Sequence, residues 1–161
     1  MAILTKSGRV AIANAITKTP LHFAWGLGDD VWLDPPAENS GATALLHEVG
    51  RRTATQWAYV VPDPAGTIVV STGSFKLSPN NEPTNNLWIA GNFDFADAKS
   101  AVIREVAVFS DTVVVGGLPP GQKYFVPSEV ANPGFLLYLE NIKPIFRSIA
   151  IQENFEAVIT F

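Results

Sequence analysis

The side chains able to do chemistry are few and awkwardly spaced. His47-Glu48 opens the pattern of a zinc metalloprotease, which needs a second histidine four residues after the first so that both imidazoles face one metal. Position 51 is Arg51, and His22 is the only other histidine. A zinc or iron centre would need carboxylates to complete it, and the same scarcity counts against a cupin, a jelly-roll class that gathers several histidines around its metal. Asp29, Asp30 and Asp34 offer oxygen to calcium but lack an EF-hand's alternating ligands and terminal glutamate, so they read as a solvated loop capped by its own carboxylates. Gly26-Leu27-Gly28 is followed by neither the third glycine nor the lysine of a phosphate-cradling loop. Gly73-Ser74 lacks the flanks of a nucleophile elbow. A pair such as Glu38 and Glu48 could serve a glycan hydrolase only at a fixed separation, and nothing in the spacing fixes one. We therefore expect no enzyme, no cofactor and no metal.

Two charged-apolar signatures stand out instead, LLHEVGRR at 45–52 and IREVAVF at 103–109. Each sets a carboxylate and a guanidinium among β-forming residues, which suits a packed strand better than a cleft that moves protons. Arg104 and Glu105 are strand neighbours and leave opposite faces, so they cannot pair with each other. Arg51 or Arg52 is the candidate partner of Glu105, through two parallel hydrogen bonds; the alternative is that Arg51, Arg52, Arg104 and Glu105 are separately solvated. Of the four tryptophans, Trp25, Trp57 and Trp88 fall in alternating strands and suit a core. Trp32, in an acidic loop bearing prolines, is the candidate exposed contact, with Asp29 and Asp30 beside it.

The elements that must position these residues are mostly strands. Ser7 offers an N-cap to a helix over 8–17, with Val10, Ile12, Ala13 and Ile16 at helical spacings and Thr19-Pro20 ending it. After Pro20 the period becomes two: Leu21, Phe23 and Trp25 alternate with His22 and Ala24. The stretch 29–43 is a surface excursion closed by a helical turn at 42–47. Residues 52–61 alternate again and turn at Pro62-Asp63-Pro64-Ala65-Gly66 into 67–77, an antiparallel hairpin. The polar loop 78–86 has no apolar anchor and protrudes. Strands follow at 87–95, at 103–109 paired with 112–115, and at 123–126 and 135–141, with a third loop at 116–122. From Ile145 the chain is extended to its end. Phe155 and Phe161 share one face of that last strand, which must pair in its own sheet or along a neighbour's edge and makes them candidate interface residues.

Composition agrees with a packed domain. With 161 residues, 47% of them hydrophobic and 16% charged, the chain suits one compact β-rich domain over 1–161 and not a disordered one. A chain of this size buries roughly 68–70% of its unfolded surface. A net charge of -4 without a basic cluster excludes phosphate-backbone binding, so nucleic acid is not an expected partner. The absence of cysteine leaves no disulfide framework. No apolar run approaches the roughly 18 residues of a spanning helix, and no signal peptide opens the chain. Synthesis in a host cytoplasm, without membrane insertion, is the expectation.

Taken in order, LTKSGRVAIANAI, LHFAWGLGDD, LLHEVGRR and IREVAVF resemble the N-terminal attachment region of phage tail-fibre and baseplate-associated proteins. In that family a leading helix precedes a strand ending in a glycine-aspartate turn, an E-V-x-R-R-like segment and an I-R-E strand. The match runs over 3–109, with Leu27 widening the glycine turn and no repetitive shaft following. The resemblance implies a mainly β (α+β) fold, an N-terminal helix followed by an antiparallel β-sandwich-like domain. It also implies a virion structural protein of a phage tail or baseplate that docks to other tail components, connects tail fibres and works as a homo-oligomer. The alternative is a carbohydrate-binding module using Trp32 and the Asp29/Asp30 loop.

Overall fold

The computed structural model describes all 161 residues. The chain runs α1 (Lys6–Ile16), β1 (Leu21–Gly26), β2 (Glu48–Thr53), β3 (Gln56–Pro62), β4 (Ile68–Val70), β5 (Gly73–Leu77) and β6 (Asn86–Phe93). There follow β7 (Val102–Ser110), β8 (Val113–Val114), β9 (Tyr124–Phe125), β10 (Val130–Asn132), β11 (Phe135–Phe146) and β12 (Glu153–Thr160). The fold is mainly β, with one N-terminal α-helix and antiparallel sheets. It resolves into two compact units, each assembled from separated pieces of chain.

The first unit comprises Met1–Thr19, Ala54–Gly91 and Phe155–Phe161. Its sheet has the order β12-β6-β3-β5-β4. Val60, Phe75 and Val158 form the buried centre of an apolar cluster that Ile68, Val70 and Trp88 flank. The helix starts earlier than its spacing suggests: Thr5, not Ser7, is the N-cap, its hydroxyl accepting the Gly8 N–H at 3.2 Å. Ala13 is the one buried residue of α1. Asn14 and Thr17 tie its C-terminal half to the Tyr59 hydroxyl at 3.1 and 3.4 Å.

Two expectations in this unit need correction. The stretch 67–77 is two strands and not one: β3 does pair with it antiparallel, but through β5, and β4 lies outside β5. The turn explains this, because the Asp63 N–H donates to the Ser74 carbonyl and so closes onto β5. Loop 78–86 does have anchors, and they are polar. The Asn81 side chain accepts the Tyr59 N–H at 2.9 Å, and the Thr84 hydroxyl donates to the Val60 carbonyl at 2.8 Å. Hydropathy cannot register such bonds, which is why the segment reads as unattached.

The second unit comprises Pro20–Thr53 and Asn92–Asn154. Its sheet has the order β11-β7-β1-β2-β9. All six residues of β1 are buried, as befits a central strand covered on both faces. β8 pairs with β10, not with β7, because Asp111 takes a left-handed φ of 60° and its N–H bonds the Pro20 carbonyl. No helical turn forms at 42–47. His47 has φ 58°, outside the right-handed helical region, and the carbonyls of Leu46 and His47 already accept the N–H groups of Gly28 and Leu27. β11 is longer than expected, and buried Arg147 begins a break that separates it from β12.

Candidate functional site

Within the second unit, a bulge arranges the first charged signature. Trp25 lies opposite Gly50 but Gly26 lies opposite Glu48, so Val49 is the extra residue on β2. On a regular strand, residues 48 and 51 would leave opposite faces; the bulge puts them on one. Arg51 holds Glu48 through two 2.7 Å bonds, from Nε and Nη2. Its Nη1 donates to the Thr112 hydroxyl and the Pro133 carbonyl, both at 2.8 Å. The guanidinium lies 4.1 Å from the centre of the Phe109 ring. Only 1% of Arg51 is exposed, and three separate pieces of chain meet on it.

Arg52, next to Arg51 on β2, and Arg147, just after β11, organise a second cluster in the same unit. Arg52 donates to Asp97 at 2.7 Å, and the same carboxylate oxygen accepts the Asp94 N–H. Arg147 donates to the carbonyls of Ile151 and Asp94, each at 2.8 Å, and lies 4.9 Å from the Trp25 ring centre. Trp25 in turn stacks on Phe93, with ring centres 3.5 Å apart. Arg147 carries no signal in the sequence because its bonds go mainly to main-chain carbonyls, and Asp97 carries none because its cation, Arg52, lies 45 residues earlier.

Glu105 pairs with neither arginine, contrary to expectation. β1 lies between β2 and β7, and strands two places apart are about 10 Å apart. Glu105 instead faces Gly26, whose other neighbour in the ladder is Glu48. It accepts the Leu46 N–H at 2.9 Å, and the Gly28 N–H lies near enough to act on its charge. Burial pushes its carboxyl above the ordinary carboxylate range, against the pull of those N–H groups. Gly26 has to be glycine, because a Cβ there would run into the Glu105 carboxylate. Arg104, on the other face, donates to the Leu27 carbonyl at 3.0 Å.

The interface candidates fall apart spatially. Trp32 is half-buried, its ring over Gly28, while Trp57, assigned to the core by its alternation, is 38% exposed. Asp29 accepts the Val31 N–H and so shapes its own turn; Asp30 is exposed. Phe155 and Phe161, in the first unit, are half-buried, and Phe161 bonds Asn85 through its N–H. The large exposed apolar side chains of the second unit lie elsewhere: Leu33, Phe146, Val31, Ile149 and Phe135.

One wide groove of about 1070 Å³ opens in this unit, lined by 27–30, 46–49, 99–102 and Arg104. Its carboxylates are largely committed, Glu48 to Arg51 and Asp29 to its turn. His22 is buried elsewhere in the sheet; burial, then the charge of Arg51, lowers its pKa to about 4, so it is a neutral imidazole at pH 7. No three His, Asp or Glu side chains gather as a metal set would require. The charged side chains of this unit are spent mainly on bonds between its own segments. Over residues 1–161 the sequence matches the family described as baseplate wedge 3 tail fiber network component.

The chain belongs to this baseplate family. Among curated proteins none matches it. Membership puts the chain among phage baseplate and tail-fibre proteins, as its ordered motifs suggested, and implies a place in the virion tail. For such a component arginines spent on internal bonds make structural sense. No helix is long and apolar enough to cross a membrane.

Proposed function

We propose that this baseplate component is a structural connector that docks to neighbouring tail proteins and links tail fibres to the baseplate, by contact and not by turnover. The observation that carries the reading is how the charged signatures are used. Arg51, Arg52, Arg147 and Glu105 are spent on internal bonds that brace loops, while large apolar side chains such as Leu33, at 91% exposure, and Phe146, at 74%, face outward. A catalytic site would keep polar groups uncommitted for substrate; a docking surface wants a rigid frame and apolar anchors. The partners are other tail and baseplate chains, including copies of this one. Synthesis occurs in the host cytoplasm, before assembly.

Purified particles test this directly. Cryo-electron microscopy, or gold labelling of a tagged chain, is expected to find it at the baseplate, between wedge and fibre density. Particles that lack the chain altogether would sink the proposal.

A further inference from the structure

The outer strands of the two five-stranded sheets are unequally prepared to meet another strand. β9 has two residues and β4 three, and in β12 Ala157, Val158 and Ile159 are already buried. β11 has twelve residues, half-buried along most of its length, and forms the outer edge of its sheet. Its free side is strapped at one point, where the Asn141 N–H donates to Glu38 at 3.1 Å and its side chain donates to the Pro36 carbonyl at 3.0 Å. Because Asn141 thus faces away from β7, the N–H and C=O of Leu139, two residues earlier in regular pairing, face the same way. There the strap stands off. A gap of about 220 Å³ separates residues 38–40 and 42 from 136–139.

The first unit carries a segment suited to that gap. Residues 1–5 precede α1 and belong to no helix or strand; Met1, Ile3 and Leu4 are exposed, Ile3 at 79%. No acidic residue occurs before Asp29, whereas Lys6, Arg9 and Lys18 do. The strap and edge offer Asp34, Glu38 and Glu140. We infer that the N-terminal segment of a second copy adds as a strand to the β11 edge, entering between the edge and the strap at 136–139, with Lys6 and Arg9 drawn to those carboxylates. The contact is head-to-tail, so it can propagate from copy to copy. This deepens the connector reading and rests on it.

The chain has no cysteine, which makes cross-linking clean. Light scattering over a concentration series is expected to show mass rising for the full chain. Ile3→Asp with Leu4→Asp should weaken self-association at least about tenfold and leave the circular dichroism spectrum unchanged. Mixing Ile3→Cys chains with Leu137→Cys chains under oxidation should give a disulfide-linked heterodimer, and mixing with Leu77→Cys chains should not. A monomer at every concentration, association that survives the double aspartate variant, or cross-linking no better at Leu137 than at Leu77 would overturn the inference. None of these results moves the particle-localisation experiment, so the two proposals fail separately.

Discussion

In the unit built from Pro20–Thr53 and Asn92–Asn154, Arg51, Arg52 and Arg147 act as hubs, each joining residues far apart in sequence. The other unit has no such cation: its one ion pair, Lys76 with Asp63, is on the surface, and its links are neutral ones from Tyr59, Asn81 and Thr84 around an apolar cluster. The difference follows from what each must hold. The irregular stretches at 94–101, 133–134 and 147–152 leave carbonyls such as those of Asp94, Pro133 and Ile151 without ladder partners, and a guanidinium with five donors can gather several at once. In the other unit the long connection 78–85 is held by neutral bonds to Tyr59 and Val60. Buried charge here brings order to loops, at the risk that losing one partner strands the other.

That contrast can be broken by experiment. The largest effect is expected from Arg51→Ala, which leaves Glu48 unpaired and takes a donor from both Thr112 and Pro133: a loss of about 3–5 kcal/mol in urea unfolding, with amide protection falling first in the arginine-bearing unit. Equal loss of protection in both units would erase the distinction. Next in size is acid. The folded His22 pKa, about 4, lies below the ordinary histidine value of 6.5, so the unfolded chain binds the extra proton between them and stability falls as pH drops through that window. The full shift corresponds to about 3 kcal/mol by pH 4, and His22→Gln should flatten that part of the profile. Glu105 acts in the opposite sense: its raised pKa makes its own contribution decline as pH rises through the carboxylate range.

The neutral unit should respond more gently. Asn81→Ala removes the acceptor of the Tyr59 N–H and is expected to cost about 1–3 kcal/mol, with exchange at Tyr59 accelerated and the arginine-bearing unit unaffected. Smallest is Ile89→Val at a fully buried site of β6, about 0.5–1.5 kcal/mol, read as a shift in urea midpoint at constant slope. A value near that of Arg51→Ala would show that packing, too, is held to one arrangement there.

Alternation made most strands legible, among them β1, β3 and the core of β7, because a half-buried or buried pleat repeats every two residues. Pairing was less so. The partner of β3 depends on where Asp63 sends its N–H, and the partner of Glu48 depends on one extra residue at Val49; neither leaves a mark in hydropathy. The role of Arg104 and Glu105 on opposite faces followed from parity, but the expected bridge from Arg51 to Glu105 ignored an intervening strand. Arg147 was invisible because most of its partners are main-chain oxygens, which every residue possesses.

The discontinuous make-up of the first unit also bears on how the polypeptide matures on the ribosome. Its terminal piece, Phe155–Phe161, supplies Val158 to the same cluster as Val60 and Phe75, and these are translated long before it. At roughly 5–20 residues per second, β6 waits several seconds for its outer neighbour. During that interval a nascent chain carries an unfilled hydrogen-bonding side flanked by greasy residues.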